Sequence, residues 1–93
     1  MKLEIFYEYN EKKVVHDYRI ECYWRDKNGD LKLVMSLGPD KYGLPCICWE
    51  GEQMTDEDKA VEFGLCLLEV SRYCKLIRRH GPDFLAQEKA ETK

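Results

Sequence analysis

Cysteines are the residues of this chain most able to do chemistry, and the 93 residues include five of them. A structural zinc site usually separates two cysteines by two to four residues and adds a second pair of similar spacing. Cys46 and Cys48 would share one face of a strand, but Cys66 and Cys74 lie eight residues apart on a helix, too far for a tight second pair. His80 could add a ligand only if its helix end folded towards that strand. We therefore expect no metal and five reduced thiols, which pack as small apolar side chains.

Catalytic groups do not converge in the sequence. A nucleophilic cysteine needs a base beside it in space, whereas we predict His16 on a sheet face and His80 at a helix end, neither next to a cysteine in sequence. The acids from Glu50 to Glu62 are explained by a helix N-terminus, which favours negative charge. The glycines show neither phosphate-loop nor dinucleotide spacing. These patterns predict a protein that is not an enzyme and that carries no cofactor.

The charge balance disfavours broad nucleic-acid binding, since the net charge is −3 and the pI is near 5.4. Nucleic-acid binding surfaces are basic. One basic cluster remains at the predicted helix end, and it is the alternative nucleic-acid contact. It comprises Arg72, Lys75, Arg78 and Arg79.

Alternating apolar and polar residues predict strands at 2–9, 14–25, 31–37 and 46–49, arranged as a sequential antiparallel meander. Opposite charges favour a register with Glu4 facing Arg19 and Lys2 facing Glu21. Alternation from residue 14 assigns one set of side chains to the inward face: Val14, His16, Tyr18, Ile20, Cys22 and Trp24. Those on the outer face are Val15, Asp17, Arg19, Glu21, Tyr23 and Arg25.

Asn28-Gly29 between two alternating runs predicts a type I′ hairpin turn. That turn would pair Trp24 with Leu33 and Cys22 with Met35. A four-residue loop from Asp26 to Gly29 would preserve the same faces while pairing Arg25 with Asp30. Periodicity alone leaves both registers open.

A long helix is predicted after the sheet. Thr55 is a suitable N-cap, acids follow it, and His80-Gly81-Pro82 ends the helix after Arg79. One broad stripe of the helix is predicted to cover the sheet: Ala60, Phe63, Cys66, Leu67, Val70, Cys74 and Ile77.

The sequence thus predicts one α+β domain over 1–82, a four-stranded antiparallel meander packed on one face by a single C-terminal helix (ββββα). Residues 83–93 are predicted to be a loose polar tail.

A second apolar stripe on nearly the opposite side of the helix predicts the function. A helix that packs on one sheet should have a polar back, so apolar residues there favour a protein interface, most simply a homodimer of antiparallel helices. Alternatively, Phe84 and Leu85 fold back and cover part of the stripe. The predicted interface comprises Val61, Leu65, Leu68, Arg72 and Leu76.

We therefore expect a small non-enzymatic protein-binding module, an inhibitor or adaptor that occupies a partner's surface. Phage-type inhibitors of host defence are the favoured subclass, because small, compact, acidic domains are common among them. The polar N-terminus and the lack of a long apolar run predict a cytoplasmic protein without membrane contact.

Overall fold

A computed structural model describes residues 2–49 and 57–86. Four strands form one antiparallel sheet in the order β1-β2-β3-β4, which confirms the predicted meander. One helix, α1, follows them and packs on the sheet, so the α+β fold ββββα is as predicted. The elements are β1 (Lys2–Tyr9), β2 (Val15–Arg25), β3 (Leu31–Pro39), β4 (Pro45–Trp49) and α1 (Glu57–His80).

The core lies between the inner face of the sheet and α1. Ile20, Met35 and Leu37 of the two central strands are almost completely buried, and Cys66, Val70, Tyr73 and Ile77 of α1 pack over them. The predicted inward stripe of the helix is therefore correct at Cys66, Val70 and Ile77. It is wrong at Ala60 and Leu67, which are exposed, and it omitted Tyr73.

The predicted pairing of β1 with β2 is wrong by two residues. Glu4 faces Glu21 instead of Arg19, and Lys2 faces Tyr23. The observed register places Ile5 opposite Ile20 and Leu3 opposite Cys22. Both registers keep Leu3 and Ile5 on the inner face, so the observed one gives up only cross-strand ion pairs, each worth a fraction of a kcal/mol.

A register shift near the start of β2 overturns the predicted faces there. Glu8 pairs with Asp17 but Tyr9 pairs with Val15, so the pairing passes over His16. Val15 is buried as a result, and His16 and Val14 are exposed. The predicted place of His16 on the inner face is wrong because a bulge reverses the alternation of side chains.

A second register shift divides the β2–β3 pairing. Cys22 faces Met35 as predicted, but Trp24 faces Lys32 instead of Leu33. The pairing passes over Val34, which is buried. The alternative pairing of Arg25 with Asp30 is also wrong, because Arg25 faces Leu31.

All three hairpin loops share one hydrogen-bonding pattern. In the β2–β3 loop the Asp26 carbonyl accepts from the Gly29 amide at 3.0 Å, and Asp26 Oδ1 accepts from the amides of Asn28 and Asp30. Gly29 has φ +84° and Asn28 does not have a positive φ. A type I′ turn needs positive φ at both central residues, so that prediction is wrong, and a type I turn followed by a left-handed residue takes its place. Asn10 and Asp40 begin the other two loops in the same way.

Gly81 ends α1, as predicted. Its φ is +78°, and its amide donates to the Ile77 carbonyl at 2.8 Å, which is the left-handed cap that glycine favours. The predicted N-cap, Thr55, lies outside the described residues.

The chain beyond the helix returns to the sheet. The Val15 amide donates to Asp83 Oδ1 at 2.8 Å, and Leu85 is completely buried. The core therefore includes a residue beyond the predicted domain end at residue 82.

Cys22 of β2 and Cys66 of α1 form a disulfide bond, with 6.2 Å between their Cα atoms. The prediction of five reduced thiols is wrong for this pair. The pairing follows from the fold, because each cysteine lies in the core at the contact between sheet and helix. Three thiols remain free, namely Cys46, Cys48 and Cys74.

Candidate binding surfaces

The outward face of α1 carries exposed apolar side chains. Val61 is 62% exposed, Leu65 46% and Leu68 72%. At about 100° per residue, these three positions lie on the side of the helix opposite Cys66 and Val70. The predicted stripe is thus accessible at its apolar centre.

Phe84 and Leu85 do not cover this stripe. Leu85 is part of the core, and the Phe84 ring stacks on Tyr73 with 6.2 Å between the ring centroids. Tyr73 belongs to the buried side of α1. The alternative in which these two residues cover Val61 to Leu68 therefore disagrees with their positions.

The two C-terminal members of the predicted stripe are less available. Arg72 Nη2 lies 2.8 Å from Glu69 Oε1, and the Arg72 guanidinium lies 4.6 Å from the centroid of the Tyr73 ring. Leu76 is half-buried. The exposed apolar face is therefore defined here as Val61, Leu65 and Leu68, and we refer to it as the helix face.

The basic helix end is exposed at Lys75, Arg78 and Arg79. The other candidate surface for nucleic acid, the outer face of the sheet, carries four carboxylates between β1 and β2. Glu4 faces Glu21 there, and Glu8 faces Asp17. Glu4 forms an ion pair with Lys2 and Glu21 forms one with Arg19, so the repulsion of a phosphate backbone would come mainly from Glu8 and Asp17.

The outer face of the sheet also contains a groove of about 450 Å³. Arg19 of β2, Gly38 of β3 and Cys46 of β4 all line it, and Gly38 pairs directly with Cys46. A Cβ at Gly38 would lie 3.3 Å from the Tyr18 carbonyl oxygen, so a larger residue there would press on the backbone of β2. The other lining residues include Phe6, Ser36 and Cys48.

Cys46 and Cys48 are exposed and lie side by side in this groove, with 3.9 Å between their Sγ atoms. They pair with Gly38 and Ser36, whereas Ile47 between them pairs with buried Leu37 and packs against the core. The hydrogen bond with Cys48, and then the charge of Cys48, raise the pKa of the Cys46 thiol above its ordinary value. The prediction that they share a strand face agrees with this position, but the prediction that they pack as small apolar side chains is wrong, since both are exposed on the outer face.

Within residues 2–49 and 57–86, no three side chains from histidine, cysteine, aspartate and glutamate gather as a metal-binding group. His16 is exposed at the β2 bulge and His80 is exposed at the helix end. The acids from Glu50 to Asp56 lie outside the described residues.

Comparison of the chain with protein-family models, with curated proteins and with solved structures finds no match. Among the described residues, no helix has the length and apolar character needed to cross a membrane.

Proposed function

We propose that this protein is a small non-enzymatic binding module, an inhibitor or adaptor, that assembles as a homodimer through its helix face. The observation that carries the proposal is the exposure of Val61, Leu65 and Leu68 on the side of α1 that the sheet does not use. Phage-type inhibition of host defence is the favoured subclass.

A second copy of the chain is the partner that the charges favour. Acids occupy the first turn of α1 and bases the last. Cys66 lies nine residues from Glu57 and nine from Lys75 along the helix. An antiparallel second helix that crosses at the level of Cys66 would therefore bring Glu57 of each copy towards Lys75 of the other, and Leu68 of each copy opposite Gly64 of the other.

Gly64 supports a close helix–helix contact. Glycine inside a helix lowers stability by roughly 0.5–1 kcal/mol relative to alanine. A Cβ at Gly64 would meet no atom within 4 Å among the described residues, once its chain neighbours and the nearby backbone of its own helix are left aside. Packing within the described chain therefore does not require this glycine. Gly64 lies one turn before Leu68, where the missing side chain leaves room for Leu68 of a second copy.

The cytoplasm is the compartment that we propose. Cys46 and Cys48 are exposed thiols close enough to be oxidised together, and such thiols persist in a reducing environment. The Cys22–Cys66 bond is fully buried, which keeps soluble reductants away from it in the folded protein.

Light scattering after size-exclusion chromatography tests the proposal, using nuclease-treated protein over a series of concentrations. We expect the wild type to reach twice the chain mass of 11.1 kDa, and Leu65→Glu with Leu68→Glu to give a folded monomer. The matched control is Leu44→Glu, which removes an exposed leucine from a hairpin loop and should leave the dimer intact.

Several results would contradict this proposal. A wild type that stays monomeric would exclude self-association, and an unfolded double variant would show that the helix face is core. Assembly that disappears when nuclease is added would instead favour the alternative, nucleic-acid binding through Lys75, Arg78 and Arg79.

A further inference from the structure

The thiol pair in the outer-face groove has no role in the proposed protein-binding face. Cys46 and Cys48 point away from the core, whereas Val61, Leu65 and Leu68 lie on the far side of α1. The two sulfur atoms are 3.9 Å apart and open to solvent. Two thiols at this separation can bind one ion between them with little movement of the backbone.

The number of available ligands selects the class of ion. Structural zinc needs four protein ligands, and the described residues offer no group of three. Soft thiolate ligands favour monovalent copper, which is satisfied by two sulfur ligands. We propose that Cys46 and Cys48 form a two-coordinate site for monovalent copper.

Binding at this site balances as an exchange of protons for one metal ion. One Cu⁺ replaces the two thiol protons, two Cu–S bonds form, and two protons pass to solvent. No electron is transferred, and the product carries one negative charge. Since the ion enters in the monovalent state, the site suits a reducing compartment.

The groove accommodates that product. Gly38 pairs with Cys46 in the register, so the neighbouring strand carries no side chain beside this thiol, and Arg19 is another lining residue of the groove. Arg19 is bound to Glu21, with 2.8 Å between Nε and Oε1, which holds the guanidinium in place. Because that pairing compensates the Arg19 charge, the negative charge of the copper bis-thiolate is left to solvent, which reaches both exposed thiols.

Competition with a chromogenic copper(I) chelator under anaerobic conditions tests the site, with ascorbate holding the metal as Cu⁺. We expect the wild type to remove one equivalent of copper from the chelator and Cys46→Ser with Cys48→Ser to remove none. Cys74→Ala, which deletes the remaining free thiol, is the matched control and should still bind one equivalent. Circular dichroism of each variant establishes that it is folded.

Three results would overturn the proposal. The double variant could bind as much copper as the wild type, which would place the ion elsewhere. Cys46→Ser alone could retain the full equivalent, which would show that two thiolates are not needed. Loss of copper in Cys74→Ala would show that the two-coordinate assignment is wrong. The proposal is independent of the helix face, so Leu65→Glu with Leu68→Glu should bind copper as the wild type does.

Discussion

Cys22 at the centre of β2 and Cys66 in α1 are joined by a disulfide bond between two completely buried side chains. The bond spans 44 positions of the chain. It ties the helix to the central strand, so it joins the two layers between which the core forms.

Thiol counting tests this bond first. Protein denatured without reductant should expose three reactive thiols to a chromogenic disulfide reagent, from Cys46, Cys48 and Cys74. Prior reduction should raise the count to five. Five reactive thiols before reduction would show that Cys22 and Cys66 are not bonded.

The bond should also contribute strongly to stability. Closing a loop of this length in the unfolded chain corresponds to about 4 kcal/mol in the chain-entropy model. We expect Cys22→Ala with Cys66→Ala to lower the free energy of unfolding by about that amount in guanidinium titrations. Cys74→Ala, at a half-buried free thiol, is the control. Equal losses of unfolding free energy in the two variants would show that the effect comes from packing alone.

The first hairpin loop offers a stabilising substitution. Lys13 has φ +60° at the position that Gly29 and Gly43 occupy in the other two loops. A side chain in the left-handed region costs roughly 1–2 kcal/mol, and glycine at this position would remove that cost. Part of the resulting gain in stability is offset, because glycine has greater freedom in the unfolded chain. We expect Lys13→Gly to raise the free energy of unfolding by about 0.5–1 kcal/mol, measured in urea. Lys12→Gly, one residue earlier, should not stabilise the protein. A loss of stability in Lys13→Gly would contradict the loop conformation.

Tyr18 should make stability depend on pH in the alkaline range. Burial, followed by the nearby Cys74 and the acids Asp40 and Asp17, raises the pKa of Tyr18 from 10.0 to about 12. The folded protein therefore retains this proton above pH 10 when the unfolded chain has lost it. The stabilising contribution is complete below pH 10 and is lost as the pH rises through about 12.

Urea midpoints from pH 9 to 12 measure this effect in the wild type and in Tyr18→Phe. The variant lacks the titrating hydroxyl, so its stability should fall less steeply above pH 10. Because the Tyr18 hydroxyl has no hydrogen-bond partner among the described residues, the variant should be no less stable at pH 7. Tyr42→Phe, at an exposed loop position, should follow the wild type. Parallel curves for wild type and Tyr18→Phe would contradict the assignment.

The sequence predicts the order of elements well because local signals suffice for it. Alternation marks each strand, and Gly81 marks the end of α1. Alternation predicts the wrong face for Val15 and Val34, because a bulge reverses the faces of a strand and its position depends on long-range pairing. The Cys22–Cys66 bond was missed for the same reason, because no local pattern shows which cysteines meet.

The candidate surfaces were predictable to different degrees. Helical periodicity alone places Val61, Leu65 and Leu68 away from the sheet. In contrast, the groove beside Cys46 depends on its direct cross-strand partner Gly38, and a linear pattern does not show that pairing. The repeated loop beginning at Asp26 and Asp40 did have a sequence signal, since Asp-Lys-x-Gly occurs at both.

Sedimentation equilibrium of three proteins tests the central claim, that the helix face packs against a second copy of α1. We expect the wild type to form a dimer, Gly64→Ala to remain folded with a modest change in affinity, and Gly64→Leu to be a folded monomer because its side chain fills the space that Leu68 of the second copy needs. A Gly64→Leu variant that dimerises as tightly as the wild type would contradict the claim.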